Sequence, residues 1–421
     1  MKITSRRKYT FTKTGKLLIA SIVVALFAAL LAVSLKHVTE KYEELFYIRS
    51  KINKLYLVIF PIIGLSMIYV LRQYIFKNKA NKGITEVFDS TETGKNLPSY
   101  KIPSHFVNGL LTVIFGGSTG IEVSTVVSTA AIGSLAQEKE KIFRQHKKEL
   151  ICAGVTAGIT ALFNTPLAGL LFAYEVICRK PSKLFFYTNI PAAAVAWTFV
   201  LVLGEPPLFA MKIQGWHLYA LPYFALLGVL AGLHSVYLTR CVIFCKAQFA
   251  KFTSQHHKIL LGAVIISALL LLLPQLYGDG YHAIKLNILT ANKAVLSVPL
   301  VVTLLGVLVF KPLATSITLS AGGDGGVFAP AIFIGAFLGL FTALVLNTVF
   351  HIGVIPLNFM LIGMGAMLSA SIHAPYTALF LACGLVNDYT LFVPVLIACL
   401  IAKYTAKAVC PYTVYTFKSK V

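Results

Sequence analysis

Acidic side chains are scarce in this sequence: 15 Asp and Glu in 421 residues, against 37 Lys and Arg. Charge of either sign makes up 12% of the chain, about half the share of a typical soluble domain. With 57% hydrophobic residues, such thin polar cover excludes a water-soluble globular protein. An even cysteine framework is missing as well. Cys152, Cys178, Cys241, Cys245, Cys383, Cys399 and Cys410 leave one thiol over, which argues against a disulfide-stapled domain. Cys241 and Cys245 stand at helical i,i+4 spacing without a neighbouring His, so they read as buried thiols and not as a metal site. No metal and no cofactor is expected.

What the chain does have is apolar runs of bilayer length, about ten of them at roughly 20 residues per span. They are Leu17–Leu35, Leu55–Leu71, Ile151–Phe172, Leu184–Leu203, Leu218–Leu233, Ile259–Leu273, Val298–Leu319, Val327–Phe350, Ile352–Ile372 and Tyr376–Ile401. Several contain Gly or Pro, which predicts tilted or broken helices. Leu17–Leu35 is too long for the core of a signal peptide and is expected to be a retained first helix. The fold class expected is an all-α polytopic membrane protein.

The net charge of +22 suggests nucleic-acid binding until its placement is considered. Lys and Arg cluster in segments flanking the apolar runs, at Lys2–Lys16, Arg72–Lys82, Lys139–Lys148 and Lys403–Lys420. Such flanks orient membrane segments, so the N-terminus is expected to be cytoplasmic, with Glu40–Glu44 in an outside loop and Arg72–Lys82 in an inside loop. The partners implied are the lipid bilayer and small anions, drawn by the positive field, and no nucleic acid.

The chain repeats itself. Gly116-Gly117-Ser118-Thr119-Gly120-Ile121-Glu122 precedes one apolar helix, and Gly322-Gly323-Asp324-Gly325-Gly326-Val327-Phe328 precedes another, 206 residues later. Asn164-Thr165-Pro166-Leu167-Ala168-Gly169 is paralleled by His373-Ala374-Pro375-Tyr376-Thr377-Ala378 at an offset of 209. Duplicated halves with matching interruptions point to a binding site where they meet. The layout expected is a basic N-terminus (1–16), a first membrane repeat (17–205), a second (206–402) and a tail (403–421), joined through Gly204–Gln214.

An anion inside hydrocarbon needs hydrogen-bond donors in place of water, without a full cation that would hold it too tightly. Helix N-termini supply free N–H groups and about half a positive charge. Glycine ahead of the helix lets an ion approach the backbone. Candidate anion-binding starts are Lys82-Gly83, Gly120-Ile121 and Gly326-Val327-Phe328. Glu122 and Glu175 are the two acidic residues in apolar surroundings, where a carboxylate is costly and usually functional. Ionised, Glu122 would occupy an anion's place at its helix start; protonated, it would swing away. It therefore reads as a proton-sensitive gate. Glu175 has two readings, an interfacial ion pair with Arg179 or Lys180, or a role in proton or anion access at the inner mouth, on a proton pathway with Glu122 and Val176. Gly116-Gly117-Ser118-Thr119-Gly120 also fits G-x-S-x-G, so an intramembrane serine hydrolase using Ser118, with His105 or His373 as base, is a competing reading. That elbow needs a strand before it, and Phe106–Phe115 reads as a helix. The chain is not expected to be an enzyme.

Gly326-Val327-Phe328-Ala329-Pro330 resembles the GxFxP segment of the CLC family of chloride channels and proton–anion antiporters. Phe163-Asn164-Thr165-Pro166-Leu167-Ala168-Gly169 with Phe172 and Glu175 resembles a second signature of that family, and Ser371–Pro375 with Asn387-Asp388-Tyr389 a third. Gly120-Ile121-Glu122 is similar to GxEGP and Gly83-Ile84-Thr85-Glu86 to GSGIPE. The resemblance implies two inverted-topology repeats and a homodimer with one anion pathway per subunit. It also implies a gate at Glu122, backbone donors at Val327 and Phe328, and a pore hydroxyl from Tyr415, with Tyr412 as second choice. The chain departs from the pattern at Lys82, where a Ser is usual, at Thr85, at Val123-Ser124 after the gate, and at Asp324. Val176 stands where exchangers usually carry a second Glu, so the implied function is a channel-like pathway for chloride or another small anion. The alternative is a proton-coupled antiporter for chloride, fluoride or nitrate, with protons as a second ligand. The lack of a regulatory domain implies a prokaryotic-type protein of the bacterial inner membrane.

Overall fold

The computed structural model describes residues 2–79, 81–137, 141–178 and 180–417, with side chains from 13 onward except at 141 and 142. Every regular element of the described backbone is a helix. Eight of its helices are long and apolar enough to cross a membrane: Lys13–Ile52, Tyr56–Ile75, Lys183–Val202, Leu218–Ala250, Gln255–Leu272, Val298–Ser320, Phe328–Thr348 and Phe392–Val409. Of the remaining apolar runs, Ile352–Ile372 forms one shorter helix, Pro356–Ile372, and two are broken. Ile151–Phe172 divides into Lys147–Phe163 and Pro166–Phe172, and Tyr376–Ile401 into Pro375–Val386 and most of Phe392–Val409.

Both breaks of the longer motif have the same backbone. The helix Lys147–Phe163 ends on Asn164 in the left-handed region (φ 53°, ψ 35°), Thr165 is extended, and Pro166 opens the next helix. The helix Pro356–Ile372 ends on His373 (φ 56°, ψ 31°), Ala374 is extended (φ −124°, ψ 82°), and Pro375 opens the next. Proline fits a first helical turn, where its missing N–H has no partner to lose. The 209-residue offset thus carries a shared local fold.

The chain divides into two compact units. One comprises Met1–Lys36, Asn81–Phe106 and Ser124–Pro206. Its core is built from small residues: Ala25, Ala28, Ala29 and Ala32 meet Ala153, Ala157 and Ala161, with Ala192 and Ala196. Helices in lipid gain association energy from such close backbone approach. Lys36 and Glu205, nearly buried, pair at 2.9 Å here, and Lys101 pairs with Glu86 at 2.7 Å.

The other unit comprises His37–Ala80, Val107–Val123 and Pro207–Val421. At its centre is Phe328–Thr348, whose apolar window is 89% buried, where those of the other spans are 28 to 50% buried. This helix touches Pro356–Ile372 backbone to backbone. A Cβ on Gly335 would stand 2.2 Å from the Gly363 carbonyl oxygen, and one on Gly363 would stand 2.1 Å from that of Gly335.

One expectation fails. Glu40–Glu44 does not lie in a loop: the first helix runs unbroken from Lys2 to Ile52, and Glu43 is buried. The apolar stretch stops at Leu35, but the helix continues because later turns still bury side chains, Glu43 against the turn at Gly278 and Tyr47 beyond it.

Candidate functional site

Two glycine-rich breaks meet in the second unit. Gly120 and Gly326 exchange backbone hydrogen bonds, each N–H donating to the other's carbonyl at 3.3 Å. Thr119 Oγ1 donates to the Gly326 carbonyl at 2.8 Å. The chain before each glycine turns in the same way, with Gly117 N–H donating to the Thr112 carbonyl at 2.8 Å and Gly323 N–H to the Thr318 carbonyl at 2.9 Å. Gly116 (φ 83°), Gly322 (φ 109°) and Gly325 (φ 134°) take backbone angles that only glycine adopts freely. The helices Glu122–Ala136 and Phe328–Thr348 begin two residues beyond the bridge. Gly120, Ile121, Gly326, Val327 and Phe328 are therefore brought together.

Glu122 is 2% exposed. Its Oε1 accepts a hydrogen bond from the Tyr281 hydroxyl at 2.7 Å. Its Oε2 lies against Gly120, where a Cβ would be 1.9 Å away, and has no hydrogen-bond partner in the structure. The backbone N–H groups of Glu122 and Ala329 face the carboxylate without reaching hydrogen-bonding geometry at Oε2.

Of the two tyrosine candidates, Tyr415 reaches the glycine bridge. Its hydroxyl accepts from the Val327 N–H at 3.2 Å and would lie 2.8 Å from a Cβ on Gly326. Tyr412 instead packs at a tilt against Phe417, with ring centroids 5.0 Å apart. Lys82 and Gly83 belong to the other unit, where Gly83 (φ 63°) caps Ile84–Thr93 and the Lys82 N–H donates to Glu86 Oε1. Glu175 and Val176 also belong there, in the π-helical turn Ala173–Cys178; Val176 is buried and Glu175 is half-buried. The suggested ion-pair partner Arg179 lies outside the described residues. Asp324 is buried and pairs with Arg72 at 3.5 Å, which accounts for an acid beside the Gly326–Pro330 segment.

The expectation that Glu122 and Glu175 are the acids in apolar surroundings needs correction. Glu43, Glu122, Asp279 and Asp324 are the buried ones, because loops and helix ends that look peripheral in sequence pack inward. Glu43 Oε1 accepts from the Asp279 N–H at 3.1 Å. Lys311, fully buried in Val298–Ser320, donates to the carbonyls of Leu276 (3.1 Å) and Gly278 (3.0 Å). Asp279, in the turn outside the spanning helices, has its carboxyl pushed up to about 6, since burial outweighs the Tyr281 N–H and Lys311. Sequence reasoning missed Tyr281 and Lys311; a lysine within the apolar run Val298–Leu319 was the available signal.

Ser118 does not fit a nucleophile. A helix, Lys101–Ile114, precedes it; its N–H donates to Thr318 Oγ1 and its hydroxyl lies 3.4 Å from Thr315 Oγ1.

Helix starts bridged at a buried carboxylate inside an all-helical bilayer protein define an ion-transport protein of the broken-helix class. The sequence model of the family described as voltage gated chloride channel matches residues 63–407, and the chain belongs to that family. It is 29% identical over 311 residues to the voltage-gated ClC-type chloride channel ClcB of Shigella flexneri, covering 73% of this chain and 72% of the relative. It is 29% identical over 349 residues to the H(+)/Cl(-) exchange transporter ClcA of Vibrio vulnificus, covering 79% and 72%. In fold it matches a slow cyanobacterial Cl-/H+ antiporter with a TM-score of 0.81 at 23% identity, over 95% of this chain and 96% of the other. It also matches a CLC-type fluoride/proton antiporter with a TM-score of 0.79 at 24% identity, over 95% and 97%.

Proposed function

We propose that this protein carries small inorganic anions, chloride first, across the membrane through a pathway gated by Glu122. The observation that carries this reading is the buried Glu122 carboxylate at the start of its helix, beside the paired starts at Gly120 and Gly326. Ionised, the carboxylate is itself the anion at the N–H groups. Protonated, it loses that attraction and yields the place to chloride. Val327, Phe328 and Tyr415 supply donors to the permeating ion. Homodimerisation, a cytoplasmic N-terminus, a bacterial plasma-membrane location and the division into repeats at 17–205 and 206–402 are parts of the same reading.

Val176 favours a channel, since a second carboxylate is lacking there. Proton-coupled exchange is the second reading, supported by relatives named as exchangers. Purified protein in liposomes separates the two. A reversal potential that moves with a pH gradient means coupling; a fixed one means a channel. Glu122→Gln is expected to flatten the pH dependence of chloride flux, and a preserved pH dependence would refute the gate.

A further inference from the structure

The contact between Tyr281 and Glu122 is made by a turn that is itself held on three sides. In Gly278-Asp279-Gly280-Tyr281, both glycines have positive φ, 58° and 89°. Neither has room for a side chain: a Cβ on Gly278 would stand 1.8 Å from Glu43 Oε1, and one on Gly280 2.3 Å from the Phe333 ring. Glu43 receives the Asp279 N–H, Asp279 Oδ1 receives the Tyr281 N–H at 2.8 Å, and Lys311 ties down the carbonyls of Leu276 and Gly278. The Lys311 ammonium also lies 4.6 Å from the Phe333 ring centre. The Tyr281 ring packs edge-on against Phe209, with centroids 5.6 Å apart. Beside the turn is a cavity of about 180 Å³, bordered by Glu40, Glu43, Glu44, Asp279, Tyr281 and His282.

We propose that Tyr281 is a latch on the gate: its hydroxyl holds the ionised Glu122 carboxylate in the pathway, and Glu43, Asp279 and Lys311 form the frame that positions it. The proposal rests on Glu122 being the gate. A hydroxyl hydrogen bond to a carboxylate is roughly twice as strong as one to a neutral carboxyl, so the latch grips the closed form and slackens on protonation. Within this unit, the ionisable groups that face Glu122 are Tyr281 from Tyr281–Thr290, Asp279 from the turn before it, and Tyr415 from the C-terminal segment. Glu43 and Lys311 stand behind Asp279, and the start of Phe328–Thr348 has no ionisable side chain. Tyr281 is a positioning residue: it acts on the permeating ion through Glu122.

The test is chloride flux against pH for the full chain in liposomes. Tyr281→Phe is expected to move the midpoint of acid activation toward alkaline pH by about one unit, the size of losing a hydrogen bond to a charged group. Replacing Tyr281 by 3-fluorotyrosine, a stronger donor of nearly the same shape, is expected to move it toward acid pH. Combined with Glu122→Gln, neither change leaves any pH effect. If Glu122→Gln is flat while both Tyr281 variants keep the wild-type midpoint, or only scale flux evenly at every pH, the latch is wrong and the gate stands. If Glu122→Gln keeps its pH dependence, the gate itself is wrong and the latch falls with it.

Discussion

Thr112 and Thr318, 206 residues apart, hold each other's glycine turn: Thr112 Oγ1 accepts from the Asp324 N–H at 2.9 Å and Thr318 Oγ1 from the Ser118 N–H at 3.1 Å. Asp324 and Ser118 are themselves 206 apart, as are Gly120 and Gly326 across the bridge. The contacts are reciprocal, so a local two-fold relates the two glycine turns at the site. Each threonine also donates to its own helix, Thr112 to the Asn108 carbonyl and Thr318 to that of Ala314. Thr112→Val and Thr318→Val each leave one buried amide without an acceptor, at about 1–3 kcal/mol. Thermal unfolding in detergent should show similar losses for the two. A large loss in one and silence in the other would contradict the symmetry.

Gly326→Ala should abolish chloride flux with little loss of yield. The new methyl carbon would stand 2.3 Å from Val123 Cγ2 and 2.8 Å from the Tyr415 hydroxyl, both at the site. Relief requires moving one wall of the pathway, since neither contact is a freely swinging chain end. Gly215→Ala is the control, as nothing lies within 4 Å of a Cβ there. Wild-type flux in Gly326→Ala would mean that the passage runs elsewhere.

Much of this was legible in the sequence, and the reason is local. A helix start needs glycine for its turn and a free N–H row, so Gly120-Ile121-Glu122 and Gly326-Val327-Phe328 can be read from composition and order alone. The 206-residue offset survives because the bridge demands the same turn twice. Tyr281 was not legible: the hydroxyl that meets Glu122 is 159 residues away, and only tertiary packing brings them together. Glu43 was misread for a related reason. Its neighbours Glu40 and Glu44 are polar as a loop would be, and nothing local shows that the helix carries one carboxylate inward to the Asp279 N–H.

The two tyrosine candidates give a paired prediction. Tyr415→Phe removes the hydroxyl that meets the Val327 N–H, whereas Tyr412→Phe removes one that stands with Phe417. If an anion binds between Val327 and Tyr415, Tyr415→Phe loses a donor to a charge and should weaken chloride binding by about 10-fold or more. Tyr412→Phe should leave it unchanged. Calorimetric titration of the purified variants measures both, and equal affinities would exclude Tyr415 as an anion ligand.

The frame behind the gate makes the last prediction. Lys311→Met keeps the chain length and apolar stem but leaves the carbonyls of Leu276 and Gly278 without their donor, at about 1–3 kcal/mol each. It also removes the positive charge that stands among Glu43 and Asp279. Removing one partner from a buried charged group is costly chiefly because the others are left uncompensated. Glu43→Gln removes one of the carboxyl groups near Lys311 while an amide oxygen can still receive the Asp279 N–H. The double variant should therefore lose less stability than the two single losses added together, a coupling of the size seen for residues in one polar network. Melting temperatures in detergent for the four proteins of this cycle decide it. Strict additivity would mean that Lys311 serves the two carbonyls alone and that Glu43 belongs to a separate contact.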